Sequence, residues 1–368
     1  MKVIWICAGD NDFALAGAQN LDRILTDNVK HSLYMKTAIG SFCVAALFLA
    51  LTAQSQTPLD TAEAHRALAK AAAGTDLTGI YDAACPAPPP EGAPARGGGA
   101  GRGRGPRPTP PREEWYNEPV RVFDNLYFLG TKVHESWAVT TSDGIIVIDA
   151  LFGYAAEPEI TEGMKKLGLD PTKIKYVIVS HGHGDHSGGA RYLQDTYHAR
   201  IILSPADWDL LARDPNNATN NPKRDIEATD GQKLTLGDTT LTLYITPGHT
   251  EGTISTLIPV KDGGKPHLAV EWGGTVISSN SPIGMLQAYV KSAQRFRDLA
   301  AGGDVILTNH TAFDGTLLKN AALLNRKPGD PNPWVVGKAT VERYLTVAEE
   351  CGKANLITAQ AKAQQPGR

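Results

Sequence analysis

The chain has 368 residues, 42% of them hydrophobic, with 36 basic side chains against 39 acidic ones for a net charge of −3. That is chain enough for one large core or two small ones, and the near-neutral balance excludes a general nucleic-acid binder, which needs a basic face. The four cysteines, Cys7, Cys43, Cys85 and Cys351, form no Cys-x-x-Cys pair, which excludes a zinc ribbon or a thioredoxin-type motif.

Residues 1–34 carry no amphipathic period and read as an upstream extension of the reading frame. Met35-Lys36 and the uncharged apolar stretch 42–53 form a short positive head and a hydrophobic segment too short to span a bilayer. Small residues follow at Ala53-Gln54-Ser55. This is the pattern of a secretory signal peptide, assigned to residues 35–55 and expected to be removed on export, the alternative being an N-terminal membrane anchor. Only Cys85 and Cys351 would then remain, and an even count in an exported chain points to a disulfide between them, the alternative being two buried thiols. Residues 56–85 are helix-favouring, with an Ala-rich run over 61–73. Residues 86–114 are rich in Pro, Gly and Arg and read as a disordered linker. Arg-Gly tracts can bind RNA, but an exported protein meets little of it, so no nucleic-acid partner is expected.

Residues 115–368 read as one domain. Strands are predicted over 120–129, 138–141 and 145–148, with a turn at Asp143-Gly144, and a helix over 157–167. A β-branched strand over 174–179 runs into His181-Gly182-His183-Gly184-Asp185-His186. Another strand, 201–203, precedes a helix over 205–213 capped by Ser204. Residues 234–245 alternate and turn at Gly237-Asp238, and strands 253–260 and 267–271 follow. Leu286, Tyr289, Val290, Ala293, Phe296 and Ala300 share one helical face. Residues 305–307 form a last strand. Val341, Tyr344, Leu345, Ala348 and Cys351 line a C-terminal helix that Gly352 is expected to end. Strands alternating with helices in two similar halves predict an α/β fold with two sheets sandwiched between helices.

Six of the candidate ligands lie at strand ends. The hexapeptide offers three imidazoles and a carboxylate, and its two glycines let the backbone bend so that they converge. Ile245-Thr246-Pro247-Gly248-His249 and Leu307-Thr308-Asn309-His310 each place a histidine just after a strand. In open α/β sheets the C-terminal edge of the strands is where ligands bind. Six ligands are too many for one tetrahedral zinc with an open position and suit two metals. His181, His183 and His249 can hold one ion, and Asp185, His186 and His310 the other. Imidazole-rich sites with one carboxylate fit zinc, with iron and manganese as alternatives. Asp149, at the end of strand 145–148, is a candidate carboxylate behind a ligand histidine or a turn-former. Trp137 and Trp272 are candidate substrate contacts or plain packing, and Glu135 to Trp137 a candidate loop over the cleft. Ser187 reads as a helix cap. His65, His134, His198 and His267 lack companions and are expected to be surface or core residues.

The hexapeptide, the Thr-Pro-Gly-His-Thr-Glu-Gly segment around His249 and the Leu-Thr-Asn-His-Thr segment around His310 resemble the metallo-β-lactamase superfamily from about residue 120 to the C-terminus. The resemblance implies a four-layer αβ/βα sandwich with a dinuclear zinc site in its cleft. Many members place a bridging aspartate before the last histidine; here the comparable stretch is Val270-Glu271-Trp272-Gly273-Gly274-Thr275, with neither that aspartate nor the cysteine ligand of first-subgroup lactamases. The site is thus most similar to the third subgroup of zinc β-lactamases. It implies a two-zinc hydrolase in which a metal-held hydroxide opens a cyclic amide and Asp185 both ligates and orients. The expected protein is a periplasmic or secreted monomer, acting on a small molecule, without stable membrane association once the signal is gone. Alternatives on the same fold are a hydrolase of another ester, thioester or lactone, and an iron-dependent oxidoreductase.

Overall fold

Two twisted sheets face each other in the computed structural model, which describes residues 60–86, 109–213 and 220–364. The expectations for residues 1–34 and 35–55, and for most of the 86–114 linker, lie outside the described residues. The first sheet has seven strands in sequential order. They are β1 (Val120–Arg121), β2 (Leu126–Phe128), β3 (Trp137–Thr141), β4 (Gly144–Ile148), β5 (Ile174–Ile178), β6 (Arg200–Leu203) and β7 (Ile226–Glu227). The first three pairings are antiparallel and the last three parallel. The second sheet runs β12-β11-β10-β9-β8. Its strands are β8 (Gln232–Leu236), β9 (Thr239–Ile245), β10 (Ile254–Asp262), β11 (Lys265–Glu271) and β12 (Val305–Leu307), with β11–β12 its parallel pair.

Successive strand side chains point to opposite faces, and that alternation builds the layers. Ile146, Ile148 and Ile178 face the second sheet and meet Leu241, Leu243, Ile254 and Leu307. Val147 and Val177 face outward, where Leu193 of helix α3 (Ala190–Tyr197) and Trp208 of helix α4 (Pro205–Arg213) cover them. On the far side, Val270 packs with Phe296 of α5 (Ile283–Leu299) and Ala348 of α6 (Lys338–Gln364). The order is helix, sheet, sheet, helix, as expected.

The domain begins earlier than residue 115. Helix α1 (Ala62–Ala73), capped by Thr61, and helix α2 (Thr78–Ala84) place Ala69, Ala73, Leu77 and Ile80 in the same core as Trp272, Tyr289 and Tyr344. Cys85 is bonded to Cys351 across 266 positions, with Cα atoms 5.1 Å apart, within the usual range.

Three expected elements differ. The strand over 120–129 is a hairpin, β1 to β2, because Asp124-Asn125 turn the chain and the Val122 and Phe123 amides both donate to the Leu126 carbonyl. The helix over 157–167 starts at Gly153 and widens into a π turn over Ala156–Thr161 around Pro158, which has no N–H for a regular helical bond. Gly352 does not end α6, which continues to Gln364. A Cβ there would sit 2.8 Å from Cδ1 of Tyr289, so this glycine lets α5 and α6 approach closely.

The strand ends that matter share one edge. β3 runs antiparallel to β4 with Trp137 opposite Ile148, so the connection before β3 reaches the same edge as the residues after β4 and β5. The sheets are joined there, where the Ile254 amide donates to the Ser180 carbonyl at 2.7 Å.

Candidate metal centre

His181, His183 and His249 come together as expected, with one ligand nitrogen from each lying within 4.8 Å of the others. Two of the rings are aimed from behind. Nδ1 of His181 donates to the Gly273 carbonyl at 2.9 Å, and Nδ1 of His249 to the Val276 carbonyl at 2.5 Å. Bonds of this kind fix tautomer and ring orientation, leaving Nε2 as the ligand atom. Nε2 of His181 is buried and without a hydrogen-bond partner, which leaves its electron pair free to ligate. The backbone approaches closely to make this possible. A Cβ on Gly273 would lie 1.7 Å from the Ile254 carbonyl oxygen, and one on Gly274 2.7 Å from Cβ of His249.

The second group holds a surprise. Asp185 and His310 meet, but the third residue whose ligand atom lies within 4.8 Å of both is His134, which the sequence reading placed at the surface or in the core. His186 adjoins them, with its Nε2 3.2 Å from Oδ2 of Asp185 and otherwise orphaned. Its Nδ1 bonds Oδ2 of Asp149 at 2.8 Å. All six expected ligands therefore line one cleft, with His134 as a seventh. The donor chemistry, imidazoles plus one carboxylate with the Nε2 atoms of His181 and His186 orphaned, fits zinc.

Electrostatics prepare these groups as ligands. Burial, reinforced by neighbouring histidines, drives His181 well below the usual imidazole range, His249 to about 4 and His310 to about 3; burial also lowers His183. Each keeps its electron pair at neutral pH. Burial opposes the charge on Asp185, but His186, then His134 and His310, outweigh it and hold the carboxyl well below its usual range. Burial likewise opposes a charge on His186, yet Asp185 and Asp149 raise it to about 10. A proton on Nε2 of His186 and a cation beside it are alternatives, and the two carboxylates attract either.

The supporting residues were only partly visible in the sequence. Asp149 is buried, and it stands both in a turn and behind His186. It occupies a left-handed turn, φ 61°, and accepts from the Ser180 amide at 2.7 Å and hydroxyl at 2.9 Å as well as from His186. Asn309 adds Nδ2 to the same carboxylate at 3.1 Å. Asp207, on the first turn of α4, accepts from the Gly182 amide at 2.7 Å, the Thr250 hydroxyl at 2.8 Å and the Gly252 amide at 3.0 Å, tying the hexapeptide to the His249 loop. Neither Asn309 nor Asp207 carries a motif signal. Replacing Asp149 with asparagine, which tolerates the left-handed backbone, removes the charge behind His186. A 10–100-fold loss of affinity for the more weakly bound metal is expected, read by competition with a chromophoric chelator.

Other candidates are corrected. Trp137 is 1% exposed and packs edge-on against Phe128 and Trp334, and Trp272 is 1% exposed between Tyr289 and Phe296, so both are packed core residues rather than exposed cleft contacts. Glu135 and Ser136 are fully buried and form no loop over the cleft. Ser187 caps no helix start; its hydroxyl donates to the His183 carbonyl at 2.9 Å. Glu271, at the place of the absent bridging aspartate, is buried and accepts from Asn309 at 3.4 Å. A separate cavity of about 970 Å³, walled by Phe152, Tyr154 and Arg191, touches Gly184 and Ser187 from outside the cleft and none of the ligand side chains.

Residues 129–262 match the model of the metallo-β-lactamase superfamily. The structure resembles BJP-1, a subclass B3 metallo-β-lactamase of Bradyrhizobium japonicum, with TM-score 0.58 and 27% identity over 67% of this chain and 97% of that one. It also resembles FEZ-1 of Legionella gormanii, with TM-score 0.58 and 25% identity over 68% of this chain and 98% of that one. Among curated proteins, a hydroxyacylglutathione hydrolase of Rhodopseudomonas palustris is 30% identical over 115 residues, 30% of this chain and 41% of that protein. An N-acyl homoserine lactonase of Azorhizobium caulinodans is 29% identical over 166 residues, 40% of this chain and 62% of that protein. The chain thus spans less than two thirds of the length of either curated relative. Residues 129–262, which include the His-x-His-x-Asp-His turn at the shared edge of the two sheets, thus carry a metallo-β-lactamase superfamily domain, and the structure is similar to those of subclass B3 enzymes.

Proposed function

We propose that the chain is an exported hydrolase that carries two zinc ions and opens a cyclic amide, β-lactams being the first candidates. The observation that carries this reading is the pair of adjacent donor groups, His181, His183 and His249 beside Asp185 and His310. Zinc at such a site polarises a carbonyl and brings the pKa of a bound water down to about 7. The protein's own groups do the rest. His181 and His249 are fixed by the Gly273 and Val276 carbonyls, so the three-histidine group is set before anything binds. Asp185 stays ionised among its imidazoles and is available to accept a proton from attacking water as well as to ligate. No serine or cysteine nucleophile is required, in keeping with Ser187 being turned back on the His183 carbonyl.

The Cys85–Cys351 bond supports export, because disulfides persist in oxidising compartments. The subclass B3 neighbours, matched over nearly their whole length, favour a β-lactam. A second reading, hydrolysis of a thioester or lactone, is favoured by the curated relatives that carry those names. A panel of a chromogenic cephalosporin, an acyl-homoserine lactone and a glutathione thioester, run on the zinc-loaded protein, decides. Cephalosporin turnover that disappears with a chelator and returns with zinc is expected. Turnover confined to the lactone or thioester would transfer the assignment to the second reading.

A further inference from the structure

His134 lies in the connection between β2 and β3 and belongs to no expected ligand set, yet the fold holds it firmly at the cleft. His134 and His310 form an isolated antiparallel bridge between two loops. The bridge is fastened on both sides. The Glu135 amide donates to the Asn309 carbonyl at 2.8 Å, and the Thr311 amide to the Val133 carbonyl at 3.0 Å. Residues opposite one another in an antiparallel pair project to the same side. The two imidazoles accordingly stand together, ring centroids 4.9 Å apart, facing Asp185. The His134 loop is pinned from within as well. Its amide donates to the Thr131 hydroxyl at 2.8 Å, and its carbonyl accepts from the Thr131 amide at 2.8 Å. Behind it, the buried carboxylate of Glu135 accepts from the Thr308 amide at 3.3 Å and hydroxyl at 3.2 Å, holding the two loops in register.

The distances to the Asp185 carboxylate match those between neighbours in a coordination shell. Ligand atoms at about 2.0–2.1 Å from a tetrahedral zinc lie roughly 3.3–3.4 Å apart. From Oδ2 of Asp185, Nε2 of His186 is 3.2 Å away, Nε2 of His134 3.5 Å and Nε2 of His310 3.6 Å. Three imidazole nitrogens crowd one carboxylate oxygen at the spacing that a shared cation would impose.

We infer that His134 is a fourth protein ligand of the second metal, completing a set with Asp185, His186 and His310. Four protein ligands saturate a tetrahedral zinc, so the open position for substrate lies on the three-histidine side, at His181, His183 and His249. The inference rests on the two-metal reading above and is tested apart from it by metal binding rather than turnover.

The experiment is a zinc titration of the full chain and its His134→Ala variant against a chromophoric chelator, with folding checked by circular dichroism. Wild type is expected to bind two equivalents; His134→Ala should keep one at wild-type affinity and weaken the other at least tenfold. Two equivalents bound by the variant with unchanged affinities would overturn the fourth ligand while leaving the two-metal reading intact. A wild type that binds fewer than two would overturn both. Cobalt-loaded His134→Cys supplies an independent readout, and stands alone if the alanine variant does not fold. A new sulfur-to-cobalt charge-transfer band is expected if position 134 touches the metal, and its absence overturns the assignment.

Discussion

Replacing Asp185 with asparagine is expected to reduce turnover about 1,000-fold or more, equivalent to roughly 4 kcal/mol of barrier, while the fold survives. Asparagine keeps the shape and removes the charge. That charge faces three imidazole Nε2 atoms within 3.6 Å, so its loss strips the second donor group of its anion. The other group should be spared, because His181 and His249 are aimed by the Gly273 and Val276 carbonyls. The variant should therefore keep its circular dichroism spectrum and about one equivalent of zinc. The check is kcat beside metal content. Turnover within tenfold of wild type would remove Asp185 from both roles.

The second large effect concerns stability. Replacing both Cys85 and Cys351 with alanine should lower stability by about 2–5 kcal/mol, because the bond closes a loop of 266 positions in the unfolded chain. At about 2–4 °C per kcal/mol for a chain of this size class, a fall in Tm of roughly 4–20 °C follows. Helices α1 and α2 stay packed through Ala69, Ala73, Leu77 and Ile80, and Asn355 still donates to the Ala84 and Ile277 carbonyls. Activity per molecule at 25 °C should therefore hold. Calorimetry of the double variant and of reduced wild type reads the shift, and an unchanged Tm in both would show that the bond contributes nothing.

The sheets and the six residues that converge on the cleft were legible in the sequence because those signals are local. Ile146, Val147 and Ile148 alternate between two cores, and the hexapeptide concentrates its donors within one turn. His134 escaped because its significance is topological. Nothing near it resembles a ligand motif, and it matters only since β3 runs antiparallel to β4, which brings the preceding loop to the metal edge. That inference was open to anyone who had drawn the hairpin. Gly352 misled for the opposite reason. A glycine near a helix end reads as a stop, and only the Tyr289 ring against it shows that it serves packing. Trp137 and Trp272 lie next to site residues in sequence, but strand alternation turns both into the core. Asp207 and Asn309 act through hydrogen bonds spanning dozens of positions, beyond the reach of any local pattern.

The central claim is that two cations sit side by side at the shared edge of the sheets. Anomalous diffraction at the zinc edge from crystals of the zinc-loaded full chain tests it most directly. Two peaks are expected, one among His181, His183 and His249, the other within bonding distance of Asp185, His186 and His310. A single peak, or zinc bound away from these side chains, would contradict it.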